Sequence, residues 1–182
     1  IPSFNTPMRE HLLDCCHLDW GAIVPAIFGS LFQAVKSKKA RRELGENYTT
    51  ETNILRLIRP LFLDELEHEF RTHQHDRAKL ERLRARLGKL RFLDPACGCG
   101  NFLVIAYREL RNLELRILEQ LEHLTGQVQL SLDPTLGLQV SPGQFVGIEI
   151  EEWPARIAEA AMFLVDHQAN LALARRFGHA PD

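Results

Sequence analysis

Apolar positions along this chain change period, and each change marks an element. Met8–Leu18 reads as a short helix after a loose start containing Pro2 and Pro7. Val24, Ile27, Phe28, Leu31, Phe32 and Val35 recur at helical spacing, and Pro25 suits a first helical turn. Ile54, Leu57, Ile58, Leu61 and Phe62 form a second stripe. Pro60 should kink or divide that helix, because it has no N–H to donate. Asp64–Gly88 is strongly charged, with Leu80, Leu83, Leu87 and Leu90 at helical intervals. Leu90–Leu93 then reads as a short strand, and Asp94–Asn101 as a glycine-containing turn. From Phe102 a long helix begins, with Leu103, Ala106, Leu110, Leu113, Ile117 and Leu121 inward and Arg and Glu on a wet outer face. Thr125–Gly143, with Asp133-Pro134, Gly137 and Pro142-Gly143, predicts a loop. Gln144–Ile150 predicts a second buried strand through Phe145, Val146, Ile148 and Ile150. Pro154 opens a last helix with Ile157, Ala158, Ala161, Leu164 and Val165 inward.

Helices, strand, helix, strand, helix is the opening of a doubly wound α/β sheet. Two parallel strands alone make a poor sheet, so the pattern predicts an incomplete domain. Residues 1–45 are expected to form a helical N-terminal region. Residues 46–182 should be the first part of the α/β domain.

Composition adds limits. The 182 residues are 45% hydrophobic and 25% charged, ordinary for a globular protein. A net charge of −2 gives no global basic field, which argues against a stand-alone DNA-binding module but not against local contacts. No apolar run approaches the roughly 20 residues of a membrane span, and no basic-then-apolar leader is present, so a cytoplasmic protein without a membrane partner is expected. Ile1 in place of Met points to a piece of a longer chain. The basic cluster Lys36–Arg42 suits a solvated linker or a phosphate-contacting loop. Cys15, Cys16 and His17 lack a second ligand pair at zinc spacing, and His68, His73 and His75 are not paired on one helical turn. No metal site is expected from either group.

The chemistry concentrates in Asp94-Pro95-Ala96-Cys97-Gly98-Cys99-Gly100-Asn101-Phe102. A glycine turn between strand and helix lets a nucleotide-type ligand approach the backbone. A dinucleotide site would carry a third glycine at position 103 and an acid about 20 residues on. Position 103 is Leu, and Glu149, the acid ending the next strand, lies much further away. S-adenosylmethionine fits better. Asp94 can face its amino-acid end, Ala96–Gly100 can hold it against the turn, and Glu149 can accept from both ribose hydroxyls at the adjacent strand end.

This segment resembles the cofactor motif D-P-A-C-G-S-G-N-F of the amino-methylating DNA methyltransferases, with Cys99 where serine is usual. Gly45-Glu46-Asn47-Tyr48-Thr49-Thr50 is similar to the segment that closes over the methionine end in the adenine-N6 group. Gly147-Ile148-Glu149-Ile150 resembles the second-strand motif with its ribose-binding acid. The order of these motifs is that of the γ-type enzymes. Residues 20–60 and 145–170 further resemble the large single-chain restriction–modification enzymes.

The resemblance implies a partial Rossmann-like, S-adenosylmethionine-dependent methyltransferase fold and, in the intact protein, methylation of adenine N6 in double-stranded DNA. It implies cofactor contacts at Tyr48, Thr49, Asp94, Ala96, Gly98, Gly100, Glu149 and Ile150. Asp94 and Ala96 would take the amino-acid end, Tyr48 and Thr49 the methionine moiety, Glu149 the ribose, and Ile150 would flank the adenine. For Tyr48 and Thr49 helix capping is a compatible role. Cysteine nucleophilic chemistry at Cys97 or Cys99 is not expected.

The family's polar-Pro-Pro-aromatic motif, which holds the flipped base, does not occur in the 182 residues. No catalytic residue is therefore named, and the motif is expected beyond Asp182. Methylation of RNA or a protein side-chain amide, and a nucleotide-binding module without methyl transfer, remain alternative readings. The free edge of the first strand would also allow pairing with a second copy.

Overall fold

The computed structural model describes residues 5–19, 49–125 and 137–177. The helix expected around Pro25, the basic cluster Lys36–Arg42, the border at residue 45, Tyr48 and the Asp133-Pro134 segment lie outside these residues.

Helix α1 (Thr6–Cys16) starts where the Asn5 side chain accepts a hydrogen bond from the Met8 N–H at 2.9 Å. Such a cap satisfies one of the donors that a helix start leaves over. None of its residues is buried, and Met8, Leu12 and Leu13 are exposed.

Pro60 does divide the next helix. Helix α2 (Glu51–Ile58) passes through a π-helical turn, Arg59–Leu63, into α3 (Asp64–His73). The wide turn closes with the Asp64 N–H on the Arg59 carbonyl. A π turn adds a residue to the period, so the buried face runs Ile54, Ile58, Leu63, Leu66, Phe70. Leu61, expected inside, is therefore exposed; Leu57, also expected inside, precedes the π turn and is exposed as well.

Asp76 caps helix α4 (Arg77–Leu87) through the Lys79 N–H at 3.1 Å. Leu80, Leu83 and Leu87 face inward as their spacing predicts, while Leu90 follows the helix and is half-buried against the core. His68 and His75 are exposed on this stretch and His73 is half-buried.

The sheet has two parallel strands, β1 (Phe92–Asp94) and β2 (Phe145–Gly147), paired Phe92 to Phe145, Leu93 to Val146 and Asp94 to Gly147. Helix α5 (Asn101–Thr125) connects them and sits at the centre of the core. Tyr107, Leu110, Leu113 and Ile117 of α5 are fully buried among Leu66, Leu80, Leu83 and Leu87. Helix α6 (Glu152–Phe177) closes the far side with Ala158, Ala161 and Val165. Pro154 falls in its first turn, where a missing N–H costs nothing; Ile157 and Leu164 are only half-buried.

Two expectations are corrected. β2 is not a fully buried strand: it is shorter than Gln144–Ile150, and Val146, Ile148 and Ile150 are 51%, 53% and 96% exposed. One face of the sheet packs, with Phe145 stacked on Phe92 at 4.8 Å and met edge-on by Tyr107. The other face is uncovered among the described residues. The outer face of α5 is also not wholly wet. Arg111 and Glu114 are buried in an ion pair at 3.6 Å. The backbone of Val140, ahead of a 3-10 turn at Pro142–Gln144, bonds to both side chains.

Candidate functional site

The chain leaves β1 at Asp94 and turns back into α5 within a few residues, which needs backbone angles that side chains resist. Gly98 (φ 54°) and Gly100 (φ 77°) supply them, and no other described residue has positive φ. At Gly100 the turn lies against α6, where an added Cβ would come within 2.8 Å of Ala158 Cβ. At Gly98 an added Cβ would meet nothing within 4 Å. Gly100 is a packing glycine; Gly98 borders open space.

Hydrogen bonds then tie the turn to the end of β2. The Asp94 side chain accepts from the Ala96 N–H at 3.1 Å, fixing the first bend. The ladder continues past the strands, with the Ile148 N–H on the Asp94 carbonyl at 2.9 Å and the Cys97 N–H on the Ile148 carbonyl at 3.0 Å. Glu149 closes the connection. Its Oε2 accepts the Gly98 N–H and its Oε1 the Glu151 N–H, each at 2.9 Å. A carboxylate oxygen carries two lone pairs, so Glu149 retains acceptor capacity on both oxygens.

Asp94, Ala96, Gly98, Gly100 and Glu149 thus stand together at the C-terminal ends of the two strands. Ile150 follows Glu149 and is almost fully exposed. Thr49 is half-buried just ahead of α2, whose residues Leu57 and Ile58 reach the site from one side. A groove of about 330 Å³ runs between α2, the π turn, β1 and the start of α5. Phe62, Pro95, Ala96, Phe102 and Leu103 line it, with Asp94 as its carboxylate. That size and an apolar lining with few polar groups suit a small organic ligand.

The side chains bonded into the turn are carboxylates, and they act on the nearby thiol. Burial pushes the Cys97 thiol up, and the charges of Asp94 and Glu149 push it further. A protonated Cys97 is a packing group rather than a nucleophile. Its Sγ lies where a Cβ on Gly147 would come within 2.6 Å, so Gly147 lets the turn settle onto β2. The sequence reading missed Gly147 in this role, although a glycine inside a strand is a known sign of close backbone approach. It also missed Arg108, which donates from α5 to Glu51 at 2.6 Å and anchors the start of α2 beside Thr49. Nothing in the spacing of those two residues signals their contact.

The family model "MmeI, DNA-methyltransferase domain" matches residues 70–182. DNA methyltransferase A of Bacillus subtilis (strain 168) is 42% identical over 168 residues, which are 92% of this chain and 18% of that protein. A solved structure of the Type IIL restriction–modification enzyme MmeI in complex with DNA superposes with a TM-score of 0.86 at 54% identity, covering 98% of this chain and 24% of that one. The chain therefore spans less than a quarter of either relative. The match runs through the glycine turn, Glu149 and the helices that hold them, and by it the chain belongs to the MmeI DNA-methyltransferase domain family.

Proposed function

We propose that this chain is the methyl-donor-binding part of an enzyme that transfers a methyl group from S-adenosylmethionine to adenine N6 in DNA, within a restriction–modification polypeptide. The observation that carries the reading is the pairing of open space at Gly98 with the Glu149 carboxylate bonded to the Gly98 N–H. A phosphate at this turn would meet a carboxylate where it needs a free N–H. A ribose diol, by contrast, finds acceptors on Glu149, and a cationic amino group finds Asp94. We read β1 and β2 as the first strands of a Rossmann-like sheet, with the ligand at their C-terminal ends.

In this reading Tyr48 and Thr49 close over the methionine moiety, and Asp94 and Ala96 hold its amino-acid end. Gly98 lets the ligand approach the backbone, Gly100 shapes the turn that receives it by packing against Ala158, and Glu149 accepts from the ribose hydroxyls. Exposed Ile150 offers an apolar face for the adenine ring to cover. The bound donor supplies a methyl group on a sulfonium, a good leaving group. Transfer to adenine N6 would break the carbon–sulfur bond, with S-adenosylhomocysteine as the leaving group and a proton lost from N6. The residues here bind and orient; the base-holding Pro-Pro motif belongs to the longer protein. MmeI was solved with DNA, which supports DNA as partner of the intact enzyme.

The test is calorimetry with S-adenosylmethionine on the intact protein and its Glu149→Ala variant. The variant should bind about tenfold more weakly or worse, as expected for losing hydrogen bonds to a charged acceptor. Equal affinity would refute the ribose role, and no binding to the wild type would refute the donor site.

A further inference from the structure

β2 carries Glu149 to the turn, yet its own sequence does little to choose a register. In Phe145-Val146-Gly147-Ile148-Glu149-Ile150 both faces contain large apolar side chains. Sliding a strand by one residue exchanges its faces, and an apolar pattern resists that only when one face is polar. Here a slip would exchange Phe145 for Val146 in the core and turn Glu149 away from Gly98. The paired region is also short, with three residues on each strand.

The polar residue immediately before β2 supplies what the pattern lacks. Gln144 is 3% exposed. Its Nε2 donates to the Leu87 carbonyl at 2.8 Å and to the Leu90 carbonyl at 3.0 Å, while its Oε1 accepts the Ser141 N–H at 2.7 Å. Leu87 ends α4 and Leu90 leads into β1, so one amide side chain joins the entry of β2 to the entry of β1. Buried donors and acceptors are costly to leave unmade, and a slip would break both bonds to the Leu87 and Leu90 carbonyls, while the Ser141 bond only shapes the turn that carries Gln144. Glu114 holds the preceding segment, accepting from the Gln139 N–H at 2.6 Å and the Val140 N–H at 3.1 Å. Arg111, its ion-pair partner, donates to the Val140 carbonyl at 3.3 Å.

We infer that Gln144 is a positioning residue for the donor site: it pins the register of β2 and thereby sets Glu149 against Gly98. It touches no ligand. The pin and the carboxylate flank β2, five residues apart along the chain, a reach of at most about 16 Å. The inference rests on the proposed function only for what Glu149 then does; the register claim stands on the hydrogen bonds.

The experiment is hydrogen exchange followed by mass spectrometry on the intact protein, without ligand, for wild type, Gln144→Glu, Gln144→Met and Leu83→Ala. Gln144→Glu sets a carboxylate against two carbonyls, and Gln144→Met removes the donors without adding charge, which serves if the first variant does not fold. Leu83→Ala destabilises the same core without touching the strand entry. The expected result is a loss of protection of about tenfold or more in residues 94–98 and 145–149 in a Gln144 variant, with α4 and α5 unchanged. Protection unchanged at both segments, or lost only in step with the helices as in Leu83→Ala, would overturn the inference. S-adenosylmethionine affinity should fall with the selective loss in Gln144→Met and stay within about twofold of wild type in Leu83→Ala, because core destabilisation distributes differently from site distortion. Failure of the wild type to bind would count against the donor reading alone, since the exchange readout needs no ligand.

Discussion

The helical core and the two-stranded sheet are held by different forces. Around α5, burial decides the structure: Leu80, Leu83, Leu87, Leu110, Leu113 and Ile117 come from two helices, α4 and α5, and leave no exposed surface. At the sheet, burial is one-sided, and Leu93, Val146 and Ile148 face outward. What sets the strand ends is a few hydrogen bonds and three glycines with distinct duties. Dispersion and hydrophobic burial tolerate small shifts, whereas a carboxylate placed on one N–H does not. The contrast teaches that stability and site geometry can be perturbed separately.

The largest expected effect falls on the core. Leu110→Ala removes a fully buried side chain and should lower unfolding stability by about 3 kcal/mol. Urea unfolding of the intact protein measures it, taken at the transition that α5 reports. The protein that remains folded should bind S-adenosylmethionine as the wild type does. A weakened site in folded Leu110→Ala would break the separation.

The two turn glycines sharpen it. Gly100→Ala places a side chain at φ 77° and 2.8 Å from Ala158 Cβ, so strain and overlap add, and a loss of about 2 kcal/mol is expected. Gly98→Ala carries only the backbone term, about 1 kcal/mol, because its space is open. Its methyl group would occupy the room proposed for the ligand. Gly98→Ala should therefore be the more stable variant and the poorer binder. Thermal unfolding and calorimetry side by side decide this, and the opposite ranking would remove Gly98 from the site.

Much of this was legible because local chemistry dictated it. The strand–turn–helix around Asp94–Phe102 follows from a strand run, two glycines and a helical stripe, and the resemblance to DNA methyltransferases led to the family that the comparison found. The exposed Leu61 was not legible, because a stripe drawn at a period of 3.6 cannot anticipate a π turn at Pro60. Nor was the half-wet sheet, since the apolar outer face of β2 reads as buried whether or not anything covers it. Arg111, Glu114 and Gln144 escaped for a third reason. Charged and amide side chains on a pattern are assigned to solvent, and only the fold shows that they satisfy backbone groups of a distant loop.

The smallest effect tests a contact between the core helix and the segment at Thr49 beside the site. Arg108 of the core helix donates to Glu51 at the start of α2, beside Thr49. That hydrogen bond holds the Glu51 carboxyl below its ordinary value near 4.5, against an opposing push from burial. A depressed folded-state value means that the stabilisation is present above the ordinary value and is lost as pH falls through the folded one. Arg108 and Glu51 are each partly exposed, so the contribution should stay below about 1 kcal/mol. Arg108→Met should remove that part of the acid sensitivity, flattening the fall in stability below pH 4.5 relative to wild type. Urea titrations at neutral pH and in the acid range measure the difference. The same variant frees the start of α2, so donor affinity should drop at neutral pH while core stability barely moves. If affinity is unchanged, the Thr49 segment is held by α2 itself, and the helical core reaches the site only through β1 and the glycine turn.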